Sequence, residues 1–174
     1  FISLQLAVPP GYTAPAFPPA GIALAALLIF GFRLWPAVVI GSLLVQLSAA
    51  WPLIGTPGWN PIGPMVVPVG ATLQAIAGAL LARRLIGFPN ALDTPLTVVR
   101  LFAIAAPVSS LISPTIAVPA LVWAGVIPIE DAGFNWWTWW MGDTLGVMIA
   151  APLMFVHLGR PAFDWRPRRL GVTV

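Results

Sequence analysis

Apolar runs broken by short clusters of proline, glycine, arginine and tryptophan make up nearly the whole chain. The runs are Ala20 to Phe32, Ala37 to about Trp51, Pro61 to Leu85, Pro95 to about Ile112, Ile116 to Ile127 and Trp136 to His157. Each of the longer runs predicts a helix. Prolines at their starts fit this reading, because the first turn of a helix has no use for the missing N–H. Residues 34–82 contain no charged side chain, more than twice the roughly 20 residues that one spanning helix needs. That run must therefore fold back on itself, and the uncharged stretch 52–60, with Gly55, Pro57 and Gly58, is the predicted turning point. Gly31 to Pro36 reads as a tight turn, 87–94 as a polar connection, 128–135 as a loop carrying Glu130 and Asp131, and 160–169 as a basic segment. Residues 1–8 look like the end of a further helix, joined by the proline-rich stretch 9–19.

Composition turns these helices into membrane helices. The chain has 174 residues, 59% of them hydrophobic and 7% charged, whereas soluble domains carry about 25% charged residues. Twenty prolines and sixteen glycines would suggest disorder in a polar chain; inside apolar runs they mark helix ends, kinks and close approaches. The basic balance, net +3, comes from eight arginines placed at the ends of apolar segments. That is the pattern of topology signals, not of nucleic-acid binding. If Arg33, Arg83, Arg84 and the cluster Arg166, Arg168 and Arg169 all face the cytoplasm, helices 37–51, 61–85 and 95–112 run out, in and out. The helix at 136–157 must then run inward, which leaves 116–127 no room as a separate span. The expectation is an all-α integral membrane protein, a polytopic helical bundle with a broken or re-entrant element near residues 113–127 and an external acidic loop. A bacterial inner membrane, crossed several times, is the expected location.

Candidate chemistry gathers at Trp136-Trp137-Thr138-Trp139-Trp140-Met141-Gly142-Asp143. An acid within a membrane helix is costly and marks a functional site by default. Trp139 and Trp140 lie four and three residues before it, over the same side of a helix. Gly142 and Gly146 would let another helix approach closely. Gly70, Gln74 and Gly78 put an amide between small residues on one stripe, which reads as an interhelical hydrogen-bonding seam. Gln46 with Ser42, and Ser109, Ser110, Ser113 and Thr115, add groups that together could line a polar cavity. His157 reads as an interfacial residue beside the terminal arginines. The absence of cysteine excludes disulfides and thiolate metal sites, and no catalytic, cofactor or metal-binding motif appears.

Pro18-Pro19-Ala20-Gly21-Ile22-Ala23, Leu34-Trp35-Pro36 with Gly41, and Trp139-Trp140-Met141-Gly142-Asp143 with Gly146 and Pro152 together resemble the type-one membrane-associated sensor domain, MASE. The resemblance covers nearly the whole chain. It departs from the family pattern at Phe17, where tryptophan is expected. It implies a bundle of about eight helices, in front of a histidine kinase, a diguanylate cyclase or a cyclic-di-GMP phosphodiesterase. Residues 1–174 would then be one sensor domain, incomplete at its first and last helices, with the catalytic output unit elsewhere in the same chain. The expected partners are the bilayer, a small ligand, that cytoplasmic unit and a second copy of the chain. The candidate ligand site is outward-facing: Asp143, Trp136, Trp139 and Trp140, with Gln46 and Gln74 as polar contacts and Pro18 and Pro19 shaping the adjoining turn. A small cation or an amine suits such a set. A transporter is the rival reading, and a scaffold that dimerises a catalytic unit is a third.

Overall fold

The computed structural model describes residues 16–51, 54–56, 60–85 and 95–158. The expected stub at 1–8, most of the proline-rich connection, the connection 87–94 and the basic segment 160–169 lie outside these residues, as does half of the 52–60 loop. Among the described residues every regular element is helical. In chain order they are α1 (Pro18–Phe30), a 3₁₀ turn (Phe32–Leu34), α2 (Trp35–Ala50), α3 (Ile62–Leu85), α4 (Pro95–Arg100), a π segment (Leu101–Ala105), α5 (Ala106–Ser110), α6 (Ile112–Trp123), a second 3₁₀ turn (Ile129–Asp131) and α7 (Ala132–Leu158). Four stretches are long and apolar enough to cross a membrane: Phe32–Ala50, Met65–Leu85, Leu101–Trp123 and Ile129–Leu158.

The broken form expected near 113–127 is the one present. No loop separates α5 from α6, and Leu111 between them stays in the helical region at φ −65° and ψ −27°. The expected helix ending near Ile112 and the short apolar piece after it are thus two halves of one span. Prolines explain the interruptions. Ahead of Pro107, which has no N–H to give, the backbone widens so that the Ala106 N–H reaches back to the Leu101 carbonyl. Ahead of Pro114 the helix tightens, and the Leu111 N–H turns to the Val108 carbonyl at 3.4 Å. The Ser113 N–H leaves the ladder altogether for the side chain of Gln74.

At the other end of this span the expected loop 128–135 is shorter than the sequence suggests. A 3₁₀ turn runs directly into α7, which starts at Ala132, four residues before Trp136. Side-chain bonds hold that first turn: Asn135 Nδ2 donates to the Asp131 carbonyl at 2.9 Å and Thr138 Oγ1 to that of Phe134 at 2.9 Å. Acids at a helix start also favour its dipole.

The ends of the bundle differ in charge. The Arg83 guanidinium stacks 4.5 Å over the Phe32 ring, and Arg100 Nη1 donates to the Leu85 carbonyl at 3.0 Å. Arg33, Arg83, Arg84 and Arg100 therefore share one end, where α7 finishes at His157. Glu130 and Asp131 lie at the opposite end, beside the start of α7. The positive-inside rule assigns the arginine end to the cytoplasm.

Helix α1 is packed along α7 in the same direction. At 13 residues it is about 20 Å long, short of the roughly 30 Å hydrocarbon layer. Its first residues meet the middle of α7: the Phe17 N–H donates to the Gly142 carbonyl at 2.9 Å. A helix start at such depth would leave donors unsatisfied in a medium without water. Pro18 and Pro19 remove two of them, and the Ala20 N–H turns to the Phe17 carbonyl at 3.1 Å. Gly146 makes the approach possible, because a Cβ there would overlap the Phe17 carbonyl. Further along, Gly21 lies against Val147 and Ala150, and Leu24, Leu28, Ala151 and Phe155 join the main apolar core with Ala75, Ala79 and Leu101. Helix α2 is different: only 6% of its span is buried. It leans on α3 and leaves a cleft between itself and α1.

Candidate functional site

Asp143 lies eleven residues into α7, about 16 Å along the axis. It is 3% exposed. The polar side chains beside it are those of Gln74 on α3 and Trp139, one turn earlier on α7. Gln74 is itself buried, twelve residues into α3, and its Oε1 accepts the Ser113 N–H at 3.3 Å. With the amide oxygen taken by Ser113, the NH₂ end is what faces the carboxylate. One side chain thus ties the acid of α7 to the break in the α5–α6 span. The described arginines all sit at one end of the bundle, and none forms an ion pair with Asp143. Among the described residues no group of three or more His, Asp or Glu could hold a metal ion.

The carboxylate opens onto the cleft between α1 and α2, a cavity of about 360 Å³. Asp143, Trp139, Gln74, Gln46 and Pro19 line it, with Ser42 and Ser113 completing the polar groups. These come from five helices, Pro19 and Ser113 at the starts of α1 and α6 and the others from within α2, α3 and α7. The rest of the wall is apolar and includes Ala20, Ala23 and Ala26 from α1, Leu34 from the 3₁₀ turn, and Ala37 and Val38 from α2. That half extends toward the arginine end.

Trp136 and Trp140 are placed elsewhere. Trp136 Nε1 donates to Thr115 Oγ1 at 3.2 Å, and Trp140 Nε1 to the Pro107 carbonyl at 2.9 Å. That carbonyl is free because the Leu111 N–H has turned to Val108, so the indole satisfies a group the break exposes. The two rings stack at 6.4 Å, and the exposed Trp137 tilts against Trp140 at 4.9 Å. The physical reason for the separation is the helical step of about 100° per residue, which sends Trp139 and Trp140 to different neighbours. Trp139 shares its stripe with Asp143 and faces the cavity. Pro18 caps the start of α1 beside the cavity but is not on its wall.

The alanines of α1 were not singled out from the sequence. Their spacing of three was the available signal: Ala20, Ala23 and Ala26 keep one side of α1 shallow. Gly41 on α2 has open space where a Cβ would stand, which widens the same cleft.

A helical bundle that crosses a membrane several times, with a buried carboxylate at mid-depth beside a cavity, is the architecture present here. The chain belongs to the MASE1 family, whose model matches residues 1–169. MASE1 is a membrane sensory domain of signalling proteins, so this is a multi-pass membrane protein of the sensory, signal-input kind. Comparison with curated proteins and with solved structures gives no match.

Proposed function

We propose that the cavity beside Asp143 is the input site of this sensory domain. The domain would serve a bacterial histidine kinase or a cyclic-di-GMP enzyme in the inner membrane. The observation that carries this reading is the position of Gln74, which accepts the Ser113 N–H and lies beside Asp143. It joins the cavity wall beside Asp143 to a place where the α5–α6 span has given up a backbone bond. A ligand that favours one arrangement of this junction over another shifts the balance between two packings, by as much as its affinities for them differ. The transporter reading also uses broken helices and polar groups at mid-depth, and flux into proteoliposomes carrying the protein would favour it.

The test is to fill the cavity without touching its polar groups. Ala26 lines the cleft yet lies outside the main core cluster, so Ala26→Trp in the full-length protein should alter output activity about fivefold or more, a coupling of ordinary allosteric size. Unchanged output from a folded Ala26→Trp protein rejects the cavity as the input site.

A further inference from the structure

The cleft has two unlike halves. At mid-depth stand Asp143, Gln74, Gln46, Ser42 and Ser113 with the indole of Trp139. Toward the arginine end the wall is alkyl, from Ala20, Ala23 and Ala26 of α1 across to Leu34 of the 3₁₀ turn and Ala37 and Val38 of α2. Among the described residues the only acidic or basic side chain on the wall is Asp143. A carboxylate removed from water and left without a basic partner is costly, and a cation beside it offsets that cost. A bare inorganic ion would leave the alkyl half empty. A neutral apolar molecule would fill that half and leave the carboxylate without a counter-charge.

We infer that the cleft takes an amphiphilic organic cation, with its positive head at Asp143 and its apolar body between α1 and α2. This rests on the cavity being the input site and names the chemistry of what enters it. The Trp139 indole, whose N–H is directed to Asp143, adds an aromatic surface of the kind that attracts cations. The volume of about 360 Å³ falls in the range of small-molecule pockets. Gln46 and Ser42 supply acceptors on the α2 side of the head group, so the positive end meets oxygen from two directions. The alkyl half accepts a chain or a ring without asking for hydrogen bonds.

The probe is phenylpropyltrimethylammonium, compared with its neutral isostere in which carbon replaces the nitrogen. Binding of each to the full-length protein in lipid nanodiscs is measured by titration calorimetry. The quaternary centre keeps its charge at every pH, so protonation of the probe cannot confuse the result. The cation should bind about tenfold more tightly than the isostere. Asp143→Asn, which keeps the side-chain shape, should remove that preference and leave the isostere's affinity nearly unchanged. Ala26→Trp should weaken both probes. A preference that is missing in the wild-type protein, including the case where neither probe binds, overturns the inference, and so does one that survives in Asp143→Asn. If the preference fails while Ala26→Trp still changes output, only the ligand class is wrong. If Ala26→Trp leaves output unchanged, the reading beneath it fails instead.

Discussion

Gln74 Oε1 on α3 accepts the backbone N–H of Ser113 on α6 at 3.3 Å. The same amide faces Asp143. Both are buried, so each lost partner leaves a polar group with nowhere to turn. Gln74→Leu should therefore destabilise the bundle by about 1–3 kcal/mol, the cost of an orphaned buried group. Unfolding in mixed micelles measures it. Gln46→Leu, at a side chain for which no such bridge is seen, should cost less, and equal losses would contradict the bridging role.

The contact between α7 and the start of α1 depends on a missing side chain. Gly146→Ala places a methyl group into the Phe17 carbonyl, where backbone must move. The expected loss is about 1–3 kcal/mol, as for other overpacked sites. Gly41→Ala meets nothing within 4 Å and should leave the melting temperature unchanged or slightly higher. Melting of the two variants side by side decides it.

Trp140 and Trp137 are neighbours with different duties. The indole N–H of Trp140 fills the Pro107 carbonyl, and Trp137 is 54% exposed. Trp140→Phe should lower stability by about 1 kcal/mol. Trp137→Phe should change it by less than about half of that, as exposed substitutions do. A larger effect at Trp137 would show that the break at Leu111 does not rely on the indole.

Sidedness has its own test, since the chain has no cysteine. A cysteine introduced at Glu130 should react with an impermeant maleimide added outside intact cells, and one at Arg84 should react only after the membrane is opened. Labelling of position 130 from the cytoplasmic side alone would invert the topology.

The long helices were legible because uncharged apolar runs of spanning length leave the chain few choices in a bilayer. The interruption near 113–127 was legible as a break, yet its form was not. Pro114 announces a lost bond, but whether the chain turns back or continues depends on Gln74 receiving the Ser113 N–H from another helix. The site was read in part for a similar reason. Asp143 announced itself by its cost, and Trp139, Gln46 and Gln74 lie with it on the cavity wall. Trp136 and Trp140 were grouped with it on a broad helical face, and the packing of α1 on one side and α5 on the other divides that face in two. The start of α7 at Ala132 was hidden because Gly133 and the polar Asn135 resemble loop residues, whereas Asn135 is buried and bonded back to Asp131.

In the proposed function, occupancy at Asp143 governs output. The most direct measurement compares the output activity of the full-length protein as wild type, Asp143→Asn and Glu130→Gln, in the same membranes. Asp143→Asn should change activity about fivefold or more, while Glu130→Gln, an exposed acid at the far end of the bundle, should match the wild type. Equal activities for wild type and Asp143→Asn, with both proteins folded in the membrane, would contradict the account.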